Sequence, residues 1–149
     1  MTDYPVRLFA EAATIVHLGE GLLSCSLDRA EWTHEAHLAA CFYLVTRRPD
    51  IDLDARIAGL IARFNESVGG VNDDRGGYHD TITRAWLAGV RAFAARHATG
   101  DLLTDVNALL TGEIGDRAWP LRFYSRDRLF SVAARRSFAA PDLAPLPVT

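Results

Sequence analysis

The chain has 149 residues, a length typical of one domain with its own apolar core. Its apolar fraction of 49% and charged fraction of 23% are those of an ordinary globular protein. The formal net charge of -3 supplies no positive field for polyanions, so nucleic acid is not an expected partner.

Apolar residues recur at helical spacing along most of the chain, without the sustained alternation of half-buried strands. This pattern predicts an all-α fold, a single domain over 1–149 formed by a bundle of five to six helices. The first two helices are expected near 4–23 and 33–46. A third should begin at Asp52 or a neighbour, and a fourth should cover 81–97.

The middle and the end of the chain carry loop signals. The segment SVGGVNDDRGGYHD, residues 67–80, combines four glycines with Asn and Asp, and a loop of this length in a compact domain is often functional. A short helix is predicted over 101–110, and Ser125 is a predicted cap for another. Three prolines after Ala140 predict an extended tail over 140–149.

The cysteines and the hydropathy bear on location. Cys25 and Cys41 lack CxxC spacing, which favours reduced thiols over a disulfide or a cysteine zinc site. The N-terminal residues do not resemble a secretory signal, and no apolar run reaches the roughly 18 residues of a membrane span. We therefore expect a cytoplasmic protein without membrane contact.

Three histidines are candidates for one site. His34 and His37 are three residues apart, roughly 60° around a helix, so both rings can face the same space. His79 precedes the inward face of the fourth helix, which Ile82 and Trp86 mark. The spacing predicts that the three imidazoles converge between the second and fourth helices.

Three neutral imidazoles suit a divalent transition metal such as zinc, nickel or iron and leave a coordination position open for water or substrate. A carboxylate would complete or orient such a set, and the candidates are Glu20, Glu35, Glu66 and Asp80. We favour Glu20 as a metal ligand together with His34, His37 and His79. Asp80 would then orient a bound histidine.

Two alternatives to a metal site stay open. Without a metal, His79 and the neighbouring Asp80 could form a catalytic pair in which the histidine is a general base. The histidines could also be structural, with His34 and His79 satisfying backbone groups at the starts of their helices.

Further polar and aromatic residues surround the histidines in sequence and could bind a ligand. Hydroxyls in a first helical turn and an arginine nearby would suit an anion, and aromatic rings would exclude water. The predicted ligand-binding residues are Trp32, Thr33, Asn72, Tyr78, Thr81, Thr83 and Arg126.

The blocks EWTHEAHL, GGYHDTITRAWL and YSRDRLFS, the last followed by PDLAPLP, resemble a family of small bacterial helical proteins in which WTHxxHL and GYHxTxT recur together. The resemblance spans most of the chain and implies no reaction. It points to the same positions, namely Trp32, Thr33, His34, His37, Tyr78, His79, Thr81 and Thr83.

Two functions follow from the sequence. The first is a small helical enzyme, metal-dependent in one version, that acts on a small molecule at the histidine site. The second is a non-catalytic module that binds a small ligand or a protein and whose histidines are structural. The apolar content and the inward tryptophans also predict a homodimer.

Overall fold

The computed structural model describes residues 5–149, and within them it is all-α, without a strand. The chain forms a single compact helical domain, as the apolar periodicity predicts. The helices are α1 (Ala12–Ser24), α2 (His34–Arg47), α3 (Leu53–Ser67), α4 (Asp80–His97), α5 (Leu102–Thr111), α6 (Arg126–Leu129) and α7 (Val132–Arg136). Short 3₁₀ turns cover Arg29–Glu31, Glu113–Gly115 and Trp119–Arg122.

The first helix begins later than predicted. Residues 5–11 are not helical, and the backbone N–H and C=O of Phe9 both bond the side-chain amide of Asn107 at 3.0 Å. Because Asn107 satisfies these two groups, Phe9 does not need helical partners for them. The predicted start near Tyr4 lies outside the described residues.

The remaining boundaries follow the capping signals of the sequence. Thr33, Asp52 and Asp101 each accept a backbone N–H at the start of α2, α3 and α5, respectively. Ser125 caps α6 as predicted, but Ser131 caps a new helix six residues later, so the expected C-terminal helix is split into α6 and α7. This split gives seven helices among the described residues instead of five to six.

Helix α2 is central. It packs against α1, α4 and α5, and Ala39, Ala40, Phe42 and Leu44 on it are buried. Helix α1 approaches α2 closely at Gly19, where a Cβ would overlap the ring of Tyr43. Glycine is required there by this close approach.

Residues after the fifth helix fold back onto α4. Tyr124 and Leu129 form a second small core with Ala85 of α4, and Leu146 of the C-terminal segment packs on it. Among residues 5–149, no helix combines the length and the apolar character needed to cross a bilayer.

Candidate functional site

A cavity of about 360 Å³ lies among α1, α2, α3 and α4. Its wall is mostly aliphatic and aromatic, with a few polar groups from α2, α4 and the segment before Trp119. The lining residues are Leu22, Trp32, His34, His37, Leu38, Cys41, Leu44, Leu53, Ile57, Ile61, Ile82, Thr83, Trp86 and Arg117. An apolar concavity with a small number of polar groups is the usual form of a small-molecule site.

His37 lines this cavity and keeps one ring nitrogen as a hydrogen-bond acceptor. Its Nδ1 lies 2.6 Å from the carbonyl oxygen of Thr33, one helical turn earlier. Since a carbonyl can only accept, Nδ1 carries the proton, and Nε2 of the neutral ring keeps its lone pair. By accessible surface His37 is an exposed residue, and it is one of the residues that line the cavity.

The same surroundings keep His37 uncharged. Burial lowers the pKa of His37 to about 4, the bond to Thr33 opposes this effect, and the neighbouring His34 adds to it. A ring with that pKa is neutral near pH 7 and does not repel an apolar molecule.

His34 is held in place by the segment that precedes Trp119. Its Nε2 donates to the carbonyl of Gly115 at 2.8 Å, since a carbonyl oxygen can only accept. The indole N–H of Trp86 donates to the adjacent carbonyl of Ile114 at 3.1 Å. Two rings of the cavity wall thus hold Ile114 and Gly115, and Arg117, two residues later, lines the cavity.

Each of the two histidines contacts a tryptophan. The ring centroids of Trp32 and His37 are 4.1 Å apart, and those of Trp86 and His34 are 5.6 Å apart in an edge arrangement. These contacts restrict the rotation of both imidazoles, so the polar atoms keep fixed directions. Two of the predicted ligand-binding residues, Trp32 and Thr83, line the same cavity as His34 and His37.

Cys41 contributes an uncharged thiol to the cavity wall. It is one helical turn beyond His37, and burial raises the pKa of its thiol to about 12. The thiol is therefore protonated near neutral pH and is a small apolar group, not a nucleophile.

Comparison of the chain with protein-family models, curated proteins and solved structures found no match.

His79 does not join the other two histidines. It is the N-cap of α4, where its Nδ1 accepts the N–H of Ile82 at 3.2 Å and its Nε2 donates to the carbonyl of Leu129 at 2.8 Å. Both ring nitrogens are engaged and the side chain is buried away from the cavity, so the predicted convergence of three imidazoles is not formed. The structural alternative, a histidine that caps its helix, describes His79.

The predicted metal ligands do not form a metal site. Across the described part of the chain, no three His, Cys, Asp or Glu side chains are arranged to hold an ion. Glu20 instead accepts hydrogen bonds from Arg48 at 2.6 Å and from the Tyr43 hydroxyl at 2.8 Å. Both bonds lower the pKa of Glu20, and the bond from Arg48 has the larger effect. The donor set does not fit a zinc, nickel or iron centre bound by these four residues.

Asp80 and Tyr78 form a separate polar cluster at the start of α4. The carboxylate of Asp80 accepts hydrogen bonds from the Tyr78 hydroxyl and, at 2.9 Å, from Arg84. Burial, followed by the bond to Asp80, raises the pKa of Tyr78. No hydrogen bond joins Asp80 to His79 among residues 5–149, so the predicted catalytic pair is not assembled.

The other predicted ligand-binding residues have structural partners or lie elsewhere. The side chain of Asn72 stabilises the loop by three hydrogen bonds. It donates to the carbonyl of Ala62 and accepts from the Asn65 side chain and from the backbone N–H of Tyr78. Thr33 caps α2. Arg126 is exposed in the first turn of α6 and is not part of the cavity wall.

Thr81 anchors the C-terminal residues to α4. Its buried hydroxyl donates to the carbonyl of Ala134 at 2.7 Å and accepts the N–H of Ala139 at 2.9 Å. His79 and Thr81 therefore attach α6 and α7 to the start of α4, and this is the structural role of the GGYHDTIT stretch.

Two parts of the cavity wall were not predicted. Ile57 and Ile61 of α3 and Arg117 line the cavity but were not among the predicted site residues. The i, i+4 spacing of the isoleucines could have placed them on one face, but not opposite the histidines.

Proposed function

We propose that the protein binds a small, largely apolar molecule in the cavity next to α2, with a hydroxyl or N–H of that molecule donating to Nε2 of His37. The observation that carries this proposal is the hydrogen bonding of His37. Its proton is committed to Thr33, which leaves Nε2 as an acceptor on a ring that lines a mostly apolar space.

The volume supports a ligand of more than one ring. A cavity of roughly 150 Å³ lined by aliphatic side chains accommodates benzene. The space here, about 360 Å³, is more than twice as large. A compound with two fused rings or an equivalent branched chain fits that size.

Binding is favoured over proton transfer by the pKa of His37. A general base works best when its pKa is near the working pH, and a value of about 4 makes His37 a weak base. The same low value makes it a dependable uncharged acceptor. The enzymatic alternative therefore has less support than the non-catalytic, ligand-binding one.

The proposal predicts a preference for ligands with a donor group. Calorimetric titration with 2-naphthol and with 2-methoxynaphthalene, which has no O–H, should show tighter binding of 2-naphthol by the wild-type chain. His37→Phe should keep the shape of the wall and weaken 2-naphthol binding about tenfold, because one hydrogen bond is lost. The affinity for 2-methoxynaphthalene should change little.

Two further variants control this measurement. Ile61→Trp should fill the cavity and abolish the binding of both compounds, whereas His97→Phe, at an exposed position outside this cavity, should change neither. Equal affinity of the wild-type chain for the two compounds would exclude His37 as the acceptor. Binding that Ile61→Trp does not reduce would place the ligand elsewhere.

A further inference from the structure

Two neighbouring polar groups of the cavity wall have no hydrogen-bond partner. One is Nε2 of His37, since the proton of this ring is bound to Thr33. The other is the indole N–H of Trp32, which no acceptor among residues 5–149 binds. The indole nitrogen is not sealed off, because among the buried and partly buried residues of the described chain only Glu35 has a side-chain polar atom that is both buried and unbonded. The wall therefore keeps one acceptor and one donor available to a ligand.

The acceptor and the donor lie on adjacent rings. The ring centroids of Trp32 and His37 are 4.1 Å apart, with an angle of 39° between the ring planes, and both residues line the cavity. Trp32 also packs against Phe64, at a centroid distance of 5.2 Å. Contacts with two rings restrict the rotation of the indole. The donor therefore keeps a fixed relation to the acceptor, and a single small ligand can reach both.

Trp86 shows what an indole does when its N–H serves the fold. This second tryptophan also lines the cavity, but its N–H donates to the carbonyl of Ile114 at 3.1 Å. The N–H of Trp32 makes no such bond within the described chain, so the contacts of Trp32 there require an aromatic ring but not an indole nitrogen.

We infer that the ligand is a cyclic amide, whose N–H donates to Nε2 of His37 and whose carbonyl oxygen accepts the indole N–H of Trp32. This inference rests on the proposed function of the same cavity. An ordinary amide is trans, so its N–H and C=O lie on opposite sides. A small ring holds the amide cis and presents both groups on one edge, which matches the donor and the acceptor of the wall.

The test compares indole, which has only the ring N–H, with oxindole, which carries a carbonyl next to that N–H. Trp32→Phe keeps an aromatic wall and removes the donor. In calorimetric titrations this variant should weaken oxindole binding about fivefold, the effect of one neutral hydrogen bond, and leave the Kd for indole within about twofold. His37→Phe should weaken the binding of both compounds, because both donate to Nε2.

Trp86→Phe is the matched control, since it removes an indole N–H that is already bonded to Ile114. This variant should not change the ratio of the indole and oxindole affinities. If 2-naphthol binds and oxindole does not, or if Trp32→Phe affects indole and oxindole to the same extent, the cyclic amide inference is overturned and the binding function stands. If none of the three compounds binds, both are overturned.

A second measurement needs no variant of Trp32. In ¹H–¹⁵N spectra of the wild-type chain, saturating oxindole should move the indole N–H proton of Trp32 further downfield than saturating indole does, because only oxindole supplies an acceptor. Equal movements with the two compounds would overturn the inference even if the Trp32→Phe chain failed to fold.

Discussion

The free energy of unfolding of the His79→Ala variant is expected to be about 3 kcal/mol lower than that of the wild-type chain. The affinity of the cavity for 2-naphthol should be unchanged. Loss of an N-cap costs about 1 kcal/mol, and leaving the buried carbonyl of Leu129 without its donor costs roughly 1–3 kcal/mol. The cap bond to Ile82 and the bond to Leu129 both depend on this one ring. Urea titration followed by circular dichroism measures the loss.

Two other substitutions separate the parts of this effect. His79→Asn should recover about 1 kcal/mol, because Asn is a good N-cap but is too short to reach Leu129 as the imidazole does. His97→Ala, at an exposed position in the last turn of α4, should change the free energy of unfolding by less than about 0.5 kcal/mol. If the His79→Ala chain were as stable as the wild-type chain but no longer bound 2-naphthol, the structural role would be contradicted. His79 would then have to contribute to ligand binding.

Gly115→Ala is expected to destabilise the fold by about 3 kcal/mol, because the added methyl group would overlap backbone atoms that have little room to move. The substitution should also weaken ligand binding. An added Cβ would lie 2.6 Å from the carbonyl carbon of Leu110 and closer still to its oxygen. The 113–119 segment would have to move, and His34 would lose its acceptor. Thermal unfolding and calorimetric titration with 2-naphthol measure the two effects.

Gly59→Ala is the control for this substitution. Gly59 lies in the interior of α3 and is exposed, and a Cβ at this position would meet none of the described neighbouring atoms within 4 Å. Alanine there should raise the free energy of unfolding by about 0.5–1 kcal/mol through helix propensity alone. A Gly115→Ala chain as stable as the Gly59→Ala chain would show that Gly115 does not fix the rim.

Local signals predicted most of the fold. The caps Thr33, Asp52, Asp101 and Ser125 act through bonds within three residues, so the sequence contains both partners. The start of α1 was predicted too early because Phe9 is held by Asn107, a partner 98 residues away. Ser131 was not predicted as a second cap because the stretch RDRLFSVAARR, in which it lies, was taken as one helix that begins at Ser125.

The candidate site was predicted in part. The spacing of His34 and His37 placed two rings in one space, and Trp32 and Thr83 lie there too. His79 was assigned to the same space because it precedes the inward face of α4. A cap residue, however, has non-helical backbone angles, here a φ of -131°, so the helical azimuth does not apply to it.

The polar character of the cavity depends on contacts between distant segments. Gly115 and Ile114 meet His34 and Trp86 across 81 and 28 residues, respectively, and these contacts bring Arg117 to the rim. Nothing in the local sequence of 113–119 marks it as a wall of the site. Only the folded arrangement shows that His37, with its Nδ1 bound to Thr33, lines a mostly apolar cavity.

The most direct test of the account is a long-range ¹H–¹⁵N NMR spectrum of the His37 imidazole, recorded over pH and with 2-naphthol. We expect a neutral ring protonated at Nδ1, with a titration midpoint at about 4, and a shift of the Nε2 resonance when 2-naphthol saturates the protein. A ring protonated at Nε2, or an Nε2 resonance that saturating 2-naphthol leaves unchanged, would contradict the proposed site.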